Sequence, residues 1–262
     1  MTPSPRILAL DFDGVICDGL IEYFQTAWKA YCQLFETTAP APPAGLADDF
    51  YRLRPVVETG WEMPILIHAL LSGIDAEVIF QTWPTLALQL TAEAGLDSKT
   101  AAAAVDGVRD LWIEADLEDW LSQHRFYPGV IERLKQAMEE GIYPIIISTK
   151  EGRFIQQLLS QQGIALGEGQ IIGKEIKQPK YVTLRQLQAQ PPIQATSPPV
   201  IWFVEDRLKA LELVEEQPDL NNIVLFLADW GYNTAAEKAK ADQSSRIGRI
   251  SLSQFAAPFT EW

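Results

Sequence analysis

Two periods of hydrophobic patterning alternate along this chain. Arg6-Ile7-Leu8-Ala9-Leu10 is a short apolar run of the length expected for a strand buried on both faces of a parallel sheet. The period then lengthens. Leu20, Phe24, Trp28, Tyr31 and Phe35 recur every three or four residues, which predicts an amphipathic helix over about 18–36 whose aromatic stripe is core. Pro40, Pro42 and Pro43 make Thr37–Gly45 a loop. Helical patterns follow over 46–58, 64–72, 76–94 and 99–123, punctuated by Gly60, Gly73 and Gly95, and Ala101–Ala104 reads as close helix packing. Residues 19–124 therefore carry no strand pattern, and no internal repeat is visible.

Beyond Phe126-Tyr127-Pro128-Gly129-Val130 the short period returns. Pro128 suits the start of a helix over about 129–140, ending at Gly141. Tyr143–Ile147 is a second buried strand, leading into Ser148-Thr149-Lys150, with a helix over 152–162 stopped by Gly163. Gln170–Gly173 is a short third strand, and 181–190 a helix. Pro191, Pro192, Pro198 and Pro199 mark a loop before Val200–Val204, the fourth strand, which leads into Glu205-Asp206-Arg207. A helix near 207–216, a fifth strand over Ile223–Leu227 leading to Asp229-Trp230-Gly231-Tyr232, a helix over 234–241 and an edge strand at Arg249–Leu252 complete the pattern. Strands alternating with helices predict an α/β fold, a Rossmann-like parallel sheet with helices on both faces. The strand-free stretch predicts a second, all-helical domain inserted after the first strand, so that 1–18 with 125–262 form one domain and 19–124 the other.

Composition narrows the function. The chain has 262 residues, 47% of them hydrophobic, enough for one large domain or two smaller ones. Its net charge of −14, from 35 acidic and 21 basic residues, argues against nucleic-acid and anionic-membrane partners but permits a small anionic substrate met by a local cluster of cations. Cys17 and Cys32 are the only cysteines and His68 and His124 the only histidines, which excludes a disulfide framework and argues against a His/Cys zinc site. With no signal-like start and no run of 18 apolar residues, a cytoplasmic location is the expectation.

The chemistry concentrates at strand ends. Asp11 and Asp13 stand two apart directly after the first strand, and Gly14 lets the backbone turn beyond them. Both carboxylates should emerge at the carboxyl edge of the sheet, where open α/β folds bind ligands. Like charges so close call for a cation or a shared proton, and Mg²⁺ suits a carboxylate pair beside a phosphate. Ser148, Thr149 and Lys150 end the second strand in the same sense, and Glu205 and Asp206 the fourth. Singly, each has a plain structural explanation: Asp13 as a turn residue, Ser148 and Thr149 as helix caps, the acidic pair as partners of a helix dipole. Those explanations do not account for all of them sharing one edge. Among Lys174, Lys177 and Lys180, Lys180 follows Pro179 and sits in the first turn of a helix, where a cation gains nothing from the dipole. It is expected within salt-bridge reach of Asp11 or Asp206, with Lys177 in solvent.

In this order, Asp11-Phe12-Asp13-Gly14-Val15, Ser148, Lys180 and Glu205-Asp206 resemble the four motifs of the haloacid dehalogenase superfamily. The helical insert resembles the superfamily's C1 cap, and Phe126–Val130 the cap-to-core return of its phosphoglycolate-phosphatase-like branch. The resemblance implies a Mg²⁺-dependent phosphatase acting on a small phosphorylated metabolite. Asp11 would be the nucleophile, Asp13 the general acid and base, and Ser148 and Lys180 the groups that hold the phosphoryl oxygens and offset their charge. Gly14, Thr149 and Lys150 would line the substrate. Asp11, the Asp13 backbone carbonyl and Asp206 would hold the metal, with Glu205 nearby. Ala210 stands where many members carry another acidic residue. Asp13 favours phosphate esters over halide displacement, and the scarcity of lysines in the insert (Lys29 and Lys99) argues against a Schiff-base phosphonatase. Phosphohexomutases keep both aspartates and are the alternative within the family. The two connections, near Cys17–Leu20 and Gln123–Tyr127, would be hinges. Outside the family, a receiver-like phosphate-binding module fits less well, because its phosphoacceptor aspartate follows the third strand, whereas here that strand ends in Gly173-Lys174. No G-x-G-x-x-G follows the first strand to indicate a dinucleotide site. A catalytically idle member would not be expected to keep Asp11, Asp13, Ser148, Lys180 and Asp206 intact.

Overall fold

The computed structural model describes residues 4–194 and 198–262. In chain order the elements are β1 (Ile7–Leu10), β2 (Cys17–Asp18), α1 (Leu20–Leu34), α2 (Leu46–Leu53), α3 (Glu62–Leu71), α4 (Ala76–Glu93), α5 (Ser98–Ala115), α6 (Leu117–Ser122), β3 (Arg125–Phe126), α7 (Val130–Glu139), β4 (Tyr143–Ile147), α8 (Gly152–Gln161), β5 (Ile171–Ile172), α9 (Lys180–Ala189), β6 (Ile201–Glu205), α10 (Leu208–Glu215), β7 (Val224–Ala228), α11 (Ala235–Ala241), β8 (Ile247–Ile250) and α12 (Leu252–Phe255). They fall into two compact units, one running to Asp18 and resuming at Arg125, the other Gly19–His124.

The first unit is built on a parallel six-stranded sheet in the order β5-β4-β1-β6-β7-β8. The apolar run Ile7–Leu10 is an inner strand, wholly buried, and pairs with β4 on one side and β6 on the other. Alternate side chains serve opposite faces. On one face Ile7, Ala9, Ile147, Phe203 and Leu227 join Leu184, Leu208 and Leu211 from α9 and α10. On the other, Trp202 and Phe226 pack with Phe259 and Trp262 near the chain end. The chain builds outward from β1 through β4 to β5, then returns to β1's other side with β6. That reversal opens a crevice at the carboxyl ends of β1 and β6, the usual ligand position in such sheets.

The second unit is helical. Phe24, Phe50, Ile65, Leu66, Ile79 and Trp83 form its core, with Trp28, Tyr31 and Phe35 half-buried against it. The expected helix over 99–123 is two helices. Asp116 interrupts it, and its carboxylate accepts from the Asp119 N–H as the cap of α6. The expected helix over 46–58 ends at Leu53, and a 3₁₀ turn follows at Arg54–Val56, where Pro55 lacks the N–H that would continue the ladder. β2 and β3 form a short antiparallel ladder that no sequence pattern marked. β8 is the edge strand, two residues earlier than expected, and α12 follows it. Among the described residues no helix is long and apolar enough to cross a membrane.

Candidate active site

The ends of β1, β4 and β6 and the start of α9 carry the site. The Asp11 N–H donates to the Val204 carbonyl at 3.0 Å, which carries the β1–β6 ladder one residue past Leu10 and sets Asp11 beside Glu205. Ser148 follows β4 and is buried, its N–H donating to the Ile172 carbonyl at 2.9 Å. Lys180 opens α9, and its ammonium stands 2.7 Å from Asp11 Oδ1 and also holds Glu205 Oε2. Of the three lysines considered, Lys180 is the one at these carboxylates. Lys174 pairs with Glu151 at 2.9 Å, and Lys177 is exposed.

Asp11, Glu205 and Asp206 are all buried and can each offer an oxygen within 4.8 Å of the others. Burial pushes the Asp11 carboxyl up to about 7, with Lys180 opposing and Glu205 and Asp13 adding to the rise. Burial, then Glu205 and Asp11, hold Asp206 well above the usual carboxylate range. Burial works against the Lys180 charge, but Asp11 and Glu205 outweigh it and raise the ammonium above its ordinary value. Lys180 thus pairs with two of the three carboxylates, and Arg207 opposes the rise at Asp206; three buried carboxylates drawn together in this way are a set that a cation would stabilise.

The two acidic residues of β6's end are engaged differently. Glu205 has both oxygens occupied. Oε1 accepts from the backbone N–H groups of Asp206 and Arg207 at 3.1 and 3.0 Å, and Oε2 accepts from Lys180. Asp206 Oδ2 accepts from the Tyr232 N–H at 2.7 Å, whereas its Oδ1 is buried without a partner among the described residues. A buried, unpartnered carboxylate oxygen beside two further carboxylates fits a hard divalent cation such as Mg²⁺. Asp206 and Asp11 are the residues with ligating capacity to spare. Glu205 serves first to hold Lys180.

The backbone around Asp206 is tightly fitted. Gly14 has φ +91°, and a Cβ on it would lie 2.2 Å from Asp206 Oδ2. A Cβ on Gly231 would lie 2.3 Å from the Asp206 Cβ. Tyr232 and Asn233 extend the cradle, since the Asn233 amide donates to the Asp206 carbonyl at 3.0 Å. The Tyr232 hydroxyl donates to Asp18 at 3.0 Å, and the Trp230 indole to the Val15 carbonyl at 3.2 Å. These residues of the loop after β7 were not anticipated as part of a site. Gly231 between two aromatics, three residues past the end of β7, was the available signal of a close backbone approach.

The other expected residues divide. The Asp13 carboxylate is not among the three that converge. It faces the Lys150 ammonium, 3.2 and 3.3 Å from its two oxygens. Thr149 is exposed.

Comparison with solved structures agrees with this topology. The chain is similar over its length to a predicted phosphatase from Clostridium acetobutylicum, with TM-score 0.57, 15% identity and 96% of each chain covered. It is similar to a predicted phosphoglycolate phosphatase from Haemophilus somnus, with TM-score 0.57, 14% identity and 93% of each chain covered. It is also similar to a hydrolase of the haloacid dehalogenase-like family from Streptococcus pneumoniae, with TM-score 0.53, 15% identity and 93% of each chain covered. No protein-family model matches the sequence, and the comparison with curated proteins gives no match. The chain has the fold of the haloacid dehalogenase-like hydrolases, with the four expected motif positions on the carboxyl edge of its sheet or at the helix start beside it.

Proposed function

We propose that this protein is a Mg²⁺-dependent phosphatase that hydrolyses a small phosphorylated metabolite through an aspartyl-phosphate on Asp11. The observation that carries the reading is the environment of Asp11: a buried carboxylate held by Lys180 at 2.7 Å, beside an Asp206 oxygen that has no partner among the described residues. The phosphatases among the structurally similar proteins support the same reading.

In the first half-reaction Asp11 attacks phosphorus. Its Oδ–P bond forms as the bond from phosphorus to the leaving oxygen breaks, and that oxygen takes a proton from Asp13. In the second half a water attacks the aspartyl-phosphate, its proton passes to Asp13, the Asp11–P bond breaks and inorganic phosphate departs. Lys180 offsets the charge on the transferring oxygens, and the Ser148 hydroxyl donates to one of them. Asp11, Asp206 and the Asp13 carbonyl would hold Mg²⁺, with Glu205 contributing through the position it gives Lys180. If bound, the ion would supply positive charge that offsets the negative charge developing in the reaction. Gly14 and Thr149 border the phosphate. The helical unit Gly19–His124 acts as the cap, selecting the remainder of the substrate.

The test is release of inorganic phosphate from a panel of phosphorylated sugars, acids and alcohols, with and without Mg²⁺. Turnover that requires Mg²⁺ and disappears in Asp11→Asn is expected, since an amide is a poor nucleophile. Undiminished turnover by Asp11→Asn overturns the covalent route.

A further inference from the structure

The four acidic residues of the site are held by different means. Asp11 and Glu205 are fixed by Lys180, Glu205 also by two backbone N–H groups, and Asp206 by the Tyr232 N–H. No backbone N–H among the described residues supports the Asp13 carboxylate in this way. Among the described residues, the one side chain that holds its carboxylate is Lys150, through both oxygens. Without it, a carboxylate at a strand end can choose among rotamers that point its oxygens in different directions.

Lys150 is itself delivered from a braced loop. Its carbonyl accepts from the Lys174 N–H at 3.0 Å, and its own N–H donates to Ser148 Oγ at 3.3 Å. The neighbouring Gly152 N–H donates to Glu175 Oε1 at 2.9 Å, and Glu151 pairs with Lys174 at 2.9 Å. The loop after β4 is thus tied to the loop after β5 by backbone and side chain. The Lys150 side chain is one-tenth exposed, so its pairing with Asp13 is shielded from solvent.

We infer that Lys150 is a positioning residue for Asp13, setting the orientation in which that carboxyl group exchanges protons with the leaving oxygen and then with water. This rests on the phosphatase reading and extends it. Geometry of this kind matters because proton transfer demands hydrogen-bond reach to the reacting oxygen, and small misplacements cost large factors.

The leaving group provides the test. An alkyl phosphate needs protonation as it departs, whereas 4-nitrophenolate leaves without it. In Lys150→Met, kcat/KM for an alkyl phosphate is expected to fall by about 10²-fold, a general acid's contribution, and kcat/KM for 4-nitrophenyl phosphate by only a few-fold. Slowed hydrolysis of the aspartyl-phosphate should then appear as a pre-steady-state burst of nitrophenolate. Lys150→Arg, which can pair with both oxygens, should restore most of the alkyl phosphate rate. Equal losses on the two esters would assign Lys150 to general substrate binding, and no loss on either would make it a surface lysine; each overturns the inference alone. A wild-type protein that hydrolyses neither ester with Mg²⁺ present overturns the phosphatase reading, and this inference with it.

Discussion

The backbone N–H of Tyr232 holds Oδ2 of Asp206 at 2.7 Å and leaves Oδ1 buried with no partner among the described residues. An oxygen in that condition is costly unless something else binds it. Mg²⁺ should therefore stabilise the protein before any substrate is present. A ligand at a hundred times its Kd adds about 2.7 kcal/mol by mass action. The melting temperature of the wild-type protein is expected to climb with added MgCl₂, and that of Asp206→Asn to stay flat. Glu205→Gln, whose parent side chain is occupied by Lys180 and two N–H groups, should keep most of the rise. A Glu205 variant more impaired in this response than the Asp206 variant would reverse the assignment of the principal ligand.

The Gly231 contact makes a second expectation. An added methyl 2.3 Å from the Asp206 Cβ must displace either the loop or the carboxylate. Gly231→Ala should cost about 1–3 kcal/mol of stability, the usual range for overpacking. It should also weaken the Mg²⁺ response, although residue 231 offers no ligand. Chemical denaturation and the MgCl₂ melting series together check this. A variant that melts like the wild type in both would show that the cradle yields freely.

The parts of this site that were legible in the sequence share one property. Asp11, Ser148 and Glu205-Asp206 each end or directly follow an apolar run, and a parallel sheet delivers such positions to one edge whatever the packing. Lys180 was legible through Pro179, which marks the helix start and makes a cation there unfavourable without an anion opposite. The Lys150–Asp13 pair was not legible, because a lysine's flexible stem lets it reach several carboxylates and spacing does not choose among them. The cradle of Gly231, Tyr232 and Asn233 acts mainly through backbone and amide groups that leave no pattern. The break at Asp116 was hidden because Trp112, Trp120 and Leu121 keep a helical spacing across it. Two-residue strands such as β2 and β3 are too short for any period to register.

The three lysines between β5 and α9 should separate by activity. Lys180 stands against Asp11 and Glu205, Lys174 against Glu151, and Lys177 is exposed. On the proposed mechanism, Lys180→Met removes the charge that would offset the transferring oxygens, a loss expected to cost about 10²- to 10³-fold in kcat. Lys177→Met should stay near wild type, and Lys174→Met, which keeps the backbone N–H on the Lys150 carbonyl but loses the pair with Glu151, should lose far less than Lys180→Met. Steady-state rates on one responsive phosphate ester decide this, with circular dichroism to establish that each variant is folded. A Lys174 variant as impaired as Lys180→Met would move the essential cation to the wrong side of Pro179.

The helical unit has a buried ion pair whose removal should be felt as stability. Glu22 is fully buried in α1, and its Oε1 accepts from Arg109 Nε at 2.8 Å, Thr26 Oγ1 at 2.8 Å and Trp120 Nε1 at 3.2 Å. Its Oε2 accepts from the Arg109 guanidinium at 3.2 Å. One carboxylate thereby joins α1, α5 and α6. Glu22→Ala would leave a guanidinium, a hydroxyl and an indole N–H without their acceptor, and breaking a buried pair on one side costs about 3–5 kcal/mol. Glu22→Gln keeps one carbonyl acceptor but not the charge, and should fall between. Replacing the pair together, as Glu22→Leu with Arg109→Met, removes the stranded charge and should recover much of the loss. Urea unfolding followed by tryptophan fluorescence, to which Trp120 against Glu22 contributes as one of eight tryptophans, measures all three. If the double variant is no more stable than Glu22→Ala, the cost lies in lost packing rather than in an uncompensated charge.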